Sequence, residues 1–314
     1  MKKSKIVLVI LACLTVLVSE SVVKYNEFIP VNRVKCLSSK VISENPIKKM
    51  KNYIIYYGND FKVVINKLKT YNLVIINPLE EGADDALREL HKANVKVYGY
   101  FSAVEIPSYD SEYIATISNN EKLKINNRYI NHWEDNLLGD ITNASFRKKI
   151  INLVGKRIFN KYDGVFIDTV DDIDCLEYIL DENNIKLNNI DTLKKSQQEG
   201  CINFFKELKA TYRNMSIIQN RGFELLQKGN YRYIDSILYE DIRKTDDEDY
   251  YKSIKKILDK FTSENNGVVM ALANDKRFFE ESKKLSQSNK WLYYATTSYE
   301  STNIKDGSYF ILDK

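Results

Sequence analysis

From residue 51 onward, short apolar runs alternate with amphipathic stretches. Residues 52–57 (NYIIYY), 73–77 (LVIIN), 95–101 (VKVYGYF), 164–168 (GVFID), 216–220 (SIIQN), 235–240 (DSILYE), 268–273 (VVMALA) and 292–296 (LYYAT) are nearly unbroken β-branched and aromatic runs. Parallel strands covered on both faces have this character. Between them, 60–69 carries Phe61, Val64, Ile65 and Leu68 on one helical face, and 84–93 carries Leu87 and Leu90. Residues 145–160 repeat the pattern through Phe146, Ile150, Leu153, Val154 and Ile158. Helices are also expected over 192–212 and 275–287, and after Thr245 as an N-cap, where the acidic turn 246–249 complements the helix dipole. Eight strands alternating with helices predict an α/β chain: a single-domain (β/α)8 TIM barrel spanning 51–314. The segment 137–141 is a candidate for one more short strand. Two long connections, 102–144 and 169–191, follow strand C-termini, which is the face where such barrels build their sites.

The first 23 residues stand apart. Lys2, Lys3 and Lys5 precede a 13-residue apolar run from Ile6 to Val18, and Ser19-Glu20-Ser21 follows. This reads as a secretory signal peptide, short for a membrane span, with an uncleaved N-terminal anchor as the alternative. The expected location is therefore outside the cell or in its envelope. Residues 24–50 are polar and mixed. They read as a linker or as an ordered lead-in packed on the barrel.

Composition narrows the class. The 314 residues include 47 Lys+Arg, 43 Asp+Glu, 11 Gly and 4 Pro, which excludes disordered and collagen-like chains. Removing residues 1–21 takes away three lysines and one glutamate, so the formal +4 falls to +2. With no basic block beside aromatic residues, nucleic acid is not an expected partner. Cys36, Cys175 and Cys201 form no disulfide framework and no zinc spacing, and free buried thiols are expected. Nothing calls for a metal, a cofactor or more than a monomer. Tyr is over-represented, with 22 against 13 Phe, and can serve as core or as sugar-stacking surface.

The strand ends carry the chemistry. Asp168 closes the fourth strand, Asn220-Arg221 the fifth and Glu240 the sixth. Tyr57 closes the first, Glu105 follows the third, and Trp133 and Asp140 lie in the long connection. A barrel gathers these around one mouth. Two carboxylates in different environments can act as acid and as base or nucleophile, the pair that glycosidic bond cleavage requires. Asp168 and Glu240 are the best such pair, because each ends a buried strand. Asp171 and Asp172 lie close behind Asp168; Asp172 and Asp241 can equally cap the next helix, and His132 reads as a surface or supporting residue rather than a ligand.

Several stretches resemble glycoside hydrolase family 114, the endo-α-1,4-polygalactosaminidase type of barrel. They are YYG at 56–58, GYFSAVE at 99–105, Trp133 followed by GDI at 139–141, YDGVFIDTVD at 162–171, QNRGFELL at 219–226 and ILYEDI at 237–242. The resemblance implies a metal-independent, retaining hydrolase of an α-1,4-linked, galactosamine-rich polysaccharide. It implies Asp168 as nucleophile and Glu240 as acid/base. Tyr57, Glu105, Trp133, Asp140, Asn220, Arg221 and Tyr239 would then hold the sugar. The competing expectations are a barrel that binds carbohydrate without cutting it, and a structural or sensory envelope protein.

Overall fold

The computed structural model describes residues 44–133, 135–242 and 248–297. The leader at 1–23, most of 24–50, and the Thr245 cap lie outside them. Eight parallel strands follow one another around a nearly closed barrel. They are β1 (Tyr53–Tyr56), β2 (Leu73–Ile76), β3 (Lys96–Ser102), β4 (Gly164–Asp168), β5 (Ser216–Asn220), β6 (Ser236–Glu240), β7 (Val268–Ala273) and β8 (Leu292–Ala295). Every apolar run of the sequence became the strand expected of it. Tyr53 of β1 meets Tyr294 of β8 with ring centroids 5.7 Å apart, and its hydroxyl donates to the Ala271 carbonyl at 2.8 Å. This brings the two ends of the sheet together.

The return paths are helices: α1 (Phe61–Leu68), α2 (Ala83–Lys92), α3 (Ala144–Arg157), α4 (Ile190–Thr211), α5 (Phe223–Lys228), α6 (Glu248–Asn265) and α7 (Phe279–Asn289). Parallel pairing requires such crossovers, because a tight turn cannot return the chain to the same end of the sheet. Each helix buries an apolar stripe, such as Phe146, Ile150, Leu153 and Val154 on α3. No helix of the described residues is long and apolar enough to cross a membrane.

Residues 44–50 are ordered. Ile47 is buried, and the Asn45 amide donates to the carbonyls of Asp235 and Asn266, just ahead of β6 and β7. This part of the lead-in therefore packs against the strand N-terminal end of the barrel.

The long connections hold structure of their own. The segment after β3 forms a three-stranded antiparallel sheet from Glu105–Ile106, Asn136–Leu138 and Asn131–His132. The extra strand expected at 137–141 is thus 136–138, outside the barrel. Residues 137–141 cannot join the barrel because β3 already pairs with β4, from Tyr98↔Gly164 to Ser102↔Asp168. The second connection folds into a 3-10 turn, Val170–Ile173, and a short helix, Leu176–Glu182. Of the thiols expected to be buried, Cys201 is, whereas Cys175 at the start of that short helix is exposed.

Strand parity decides which tyrosines face the barrel interior. Side chains alternate along a strand, so Tyr57 and Tyr100 share the inward face with Asp168, Asn220 and Glu240. Tyr56, Tyr239 and Tyr293 point into the helix layer. Tyr56 packs on Phe61, and the Tyr293 hydroxyl donates to the Phe279 carbonyl at 2.7 Å. The abundance of tyrosine is mostly a packing feature.

Candidate active site

Asp168 and Glu240 are the last residues of β4 and β6, and Asn220 is the last residue of β5 between them. The Asn220 amide nitrogen donates to Asp168 Oδ1 at 2.8 Å and to Glu240 Oε2 at 2.9 Å. Two oxygens held by one nitrogen can be no farther apart than the sum of those distances, 5.7 Å. The two acceptors also fix the amide's orientation, since turning it over would set its oxygen against two carboxylates. Asp168 receives further hydrogen bonds from the Thr169 backbone N–H and the Tyr100 hydroxyl. Burial, and after it the charge of Glu240, push Asp168 above the usual carboxylate range, while those three donors pull the other way.

The chain turns sharply after each of these residues. Thr169, Arg221 and Asp241 have φ of 65°, 46° and 54°. None is glycine, and a β-branched residue rarely adopts such a φ. Strain of this kind costs about 1–3 kcal/mol per residue and persists where surrounding structure holds it. For Thr169 the holding contacts are visible. Its hydroxyl oxygen accepts from the backbone N–H groups of Val104 at 3.0 Å and Glu105 at 3.2 Å, and bonds the Ser102 hydroxyl at 3.1 Å. The left-handed turn thus ties the end of β4 to the connection that follows β3.

More carboxyls surround the pair. Burial pushes Asp171 up to about 7, with the charges of Asp168 and Glu240 adding to it and Arg221 opposing; Arg221 Nε lies 3.4 Å from Asp171 Oδ2. Burial also pushes Glu105 up to about 7, against a hydrogen bond from Asn136 Nδ2 at 2.8 Å. Asp172 stands well above its ordinary range, through burial first and then the charges of Glu105, Asp171 and Asp168. The Glu105 and Asp172 carboxyls are close enough to share a proton.

The remaining expected residues divide. Tyr57 lies against Tyr100, rings 5.1 Å apart, and so borders Asp168. Trp133 is 69 % exposed on the hairpin beyond the sheet, with its ring centroid 5.4 Å from that of His132. Asp140 is occupied locally: its Oδ1 accepts from the Thr142 N–H, the Thr142 hydroxyl and Gln197 Nε2, and no hydrogen bond joins it to the pair among the described residues. Tyr239, expected at the mouth, is only 5 % exposed and packs on Phe223 and Trp291. Glu240 faces inward, so its strand neighbour must face the helices. Sequence reasoning missed Tyr100 and Thr169. The alternation of β3 back from Ser102 would have marked Tyr100, whereas no local signal marks the strain at Thr169. A cavity of about 540 Å3 lined by Leu226, Tyr231, Ile257 and Phe261 lies between α5 and α6 and contains none of these groups.

Comparison with known proteins bears on this arrangement. No curated protein sequence matches the chain. Among solved structures, it is similar to the glycoside hydrolase domain of PelA from Pseudomonas aeruginosa, with a TM-score of 0.61 at 15 % identity over 80 % of this chain and 96 % of that one. It is also similar to Aspergillus fumigatus Ega3, solved in complex with galactosamine, with a TM-score of 0.53 at 16 % identity over 78 % of this chain and 90 % of that one. At such identities these likenesses establish the barrel fold. The sequence profile of glycoside-hydrolase family GH114 matches residues 45–270, from the lead-in through the strands bearing Asp168, Asn220 and Glu240, and the chain belongs to that family.

Proposed function

We propose that the protein is an exported endo-glycosidase that cuts α-1,4-linked, galactosamine-rich polysaccharide by double displacement. The observation that carries this reading is the single Asn220 nitrogen bonded to both Asp168 and Glu240, which limits their nearest oxygens to 5.7 Å apart. Retaining glycosidases keep their carboxyls roughly 5–5.5 Å apart, whereas inverting ones leave about 6.5–9.5 Å for a water. Asp168, acting as the carboxylate, attacks the anomeric carbon; three donors favour its charged form against the burial and the Glu240 charge that raise it. Glu240 protonates the departing glycosidic oxygen and then takes a proton from the water that hydrolyses the glycosyl-enzyme.

The substrate class follows from charge and from the family. An amino sugar that is not acetylated carries an ammonium group, and a partly desolvated mouth presents negative charge to it through the Asp168 carboxylate and, above about pH 7, through Asp171. Ega3, a structural neighbour, was solved with galactosamine. Trp133 supplies a stacking face at the rim.

The test is the release of reducing ends from deacetylated and acetylated α-1,4-galactosaminan by the purified protein. Asp168→Asn and Glu240→Gln should each lower the rate at least ~100-fold, since both groups take part in bond cleavage. The first sugar released should keep the α configuration by NMR. Wild-type activity in both variants would remove the assignment, and binding without release would make the barrel a carbohydrate-binding module.

A further inference from the structure

Beside the proposed catalytic pair lies a second cluster, built by the two long connections. Glu105 comes from the first strand of the small sheet, His132 from its hairpin and Asp172 from the 3-10 turn after β4. One ligand-type atom from each lies within 4.8 Å of the other two. We propose that Glu105, His132 and Asp172 bind one divalent transition-metal ion of the zinc or manganese kind, as a clamp that pins the small sheet to the segment following β4.

Two independent observations point to a ligand. Glu105 and Asp172 are 3 % and 6 % exposed, and Glu105 Oε1 and Asp172 Oδ2 are buried without a hydrogen-bond donor. Buried polar atoms are nearly always paired, so two unpaired acceptors at one place need either a cation or a proton between the carboxyls. The surroundings also have the form of an outer ligand shell. His132 Nδ1 lies 3.0 Å from Glu182 Oε2, and Asn136 Nδ2 donates to Glu105 Oε2 at 2.8 Å. A carboxylate behind an imidazole fixes its tautomer and ring orientation, the usual support for a metal-bound histidine.

The donor set selects the ion. An imidazole with two carboxylates suits zinc or manganese, whereas calcium and magnesium favour oxygen donors throughout. Bonds of roughly 2.0–2.2 Å allow ligand atoms to be no more than ~4.4 Å apart. The cluster therefore needs to contract by only a few tenths of an ångström. The ion would take no part in bond cleavage; its place is between elements whose sole covalent link runs through β4 and α3.

The experiment uses the full-length chain, stripped with a chelator and dialysed. Zinc chloride, manganese chloride and calcium chloride are titrated separately by calorimetry, with thermal unfolding followed in parallel. We expect one equivalent of zinc or manganese to bind and to raise Tm. His132→Ala and Asp172→Asn should each weaken binding at least ~100-fold, and Glu182→Gln, which removes only the outer partner, by ~10-fold. Circular dichroism of the metal-free variants shows whether they fold, and Glu182→Gln keeps the test decisive if a ligand variant does not. No binding and no Tm shift in the wild type would mean that a shared proton serves the pair and would overturn the proposal. Undiminished binding in folded His132→Ala, or a preference for calcium, would overturn it as well.

Discussion

Replacing Asn220 by alanine separates two roles that one amide fills: holding the proposed pair in place and lowering the basicity of Asp168. Asn220 Nδ2 is bonded to both carboxylates, at 2.8 and 2.9 Å. A hydrogen bond to a charged group contributes roughly 1.5–3 kcal/mol. Losing the bond to Asp168 removes a stabilisation of that order from its charged form, and its pKa rises further. When both are ionised, two carboxylates no more than 5.7 Å apart repel each other by at least about 3 kcal/mol at an effective dielectric of ~20, so the loss adds to an existing strain. The sign is fixed. Burial and Glu240 raise Asp168, Asn220 lowers it, and its removal lets the first two effects win further. Because the nucleophile must be ionised, the acidic limb of kcat/KM should move to higher pH by ~1–2 units. At a pH below both limbs, kcat/KM should fall ~10–100-fold. The assay is reducing-end release from deacetylated α-1,4-galactosaminan between about pH 4 and 9, with Tm recorded to verify folding. A folded Asn220→Ala protein whose acidic limb stays within about 0.3 units of the wild type would refute the reasoning.

Three other outcomes test other parts of the molecule. Gly200 lies inside α4, where alanine would ordinarily stabilise a helix by about 1 kcal/mol; here an added Cβ would meet the Ile141 carbonyl oxygen at 2.7 Å, so Gly200→Ala should lower stability by ~1–3 kcal/mol in urea unfolding, and a gain would show that the backbone at 141–142 gives way. Burial alone would raise Glu121, but Lys149 Nζ at 2.6 Å and the Ser118 and Ser145 hydroxyls outweigh it and hold its carboxylate at about 2. Since its unfolded value is ~4.3, this contribution is complete above that pH and is lost as the pH falls toward 2; Lys149 is a third exposed, so Glu121→Gln should remove only roughly 1–2 kcal/mol at pH 7 and almost nothing at pH 2. Trp133→Ala removes a side chain that is 69 % exposed, so stability should change by no more than ~0.5 kcal/mol while KM for the polymer rises and kcat is nearly kept; equal KM would take Trp133 out of the binding surface.

Local pattern alone placed the eight strands and most helices, because a short β-branched and aromatic run such as GVFID, bounded by polar residues, favours a strand covered on both sides. The same pattern placed Asp168, Asn220 and Glu240 at strand ends, and a barrel then obliges strand ends to meet at one face. Period-two alternation also contained the outward direction of Tyr239, which the position of Glu240 dictates. Other features had no local signature. Asp140 looked like one more mouth carboxylate, but Thr142 and Gln197 take up its oxygen, and Gln197 is brought there by the packing of α4. The amide shared by Asp168 and Glu240, the left-handed Thr169 held by Ser102 and the 103–105 backbone, and the meeting of Glu105, His132 and Asp172 each join segments far apart in sequence. Hydrophobic periodicity reports only which face of an element is buried. Distances between elements are set by barrel closure and by how the two long connections dock on each other, and these are properties of the packed chain as a whole.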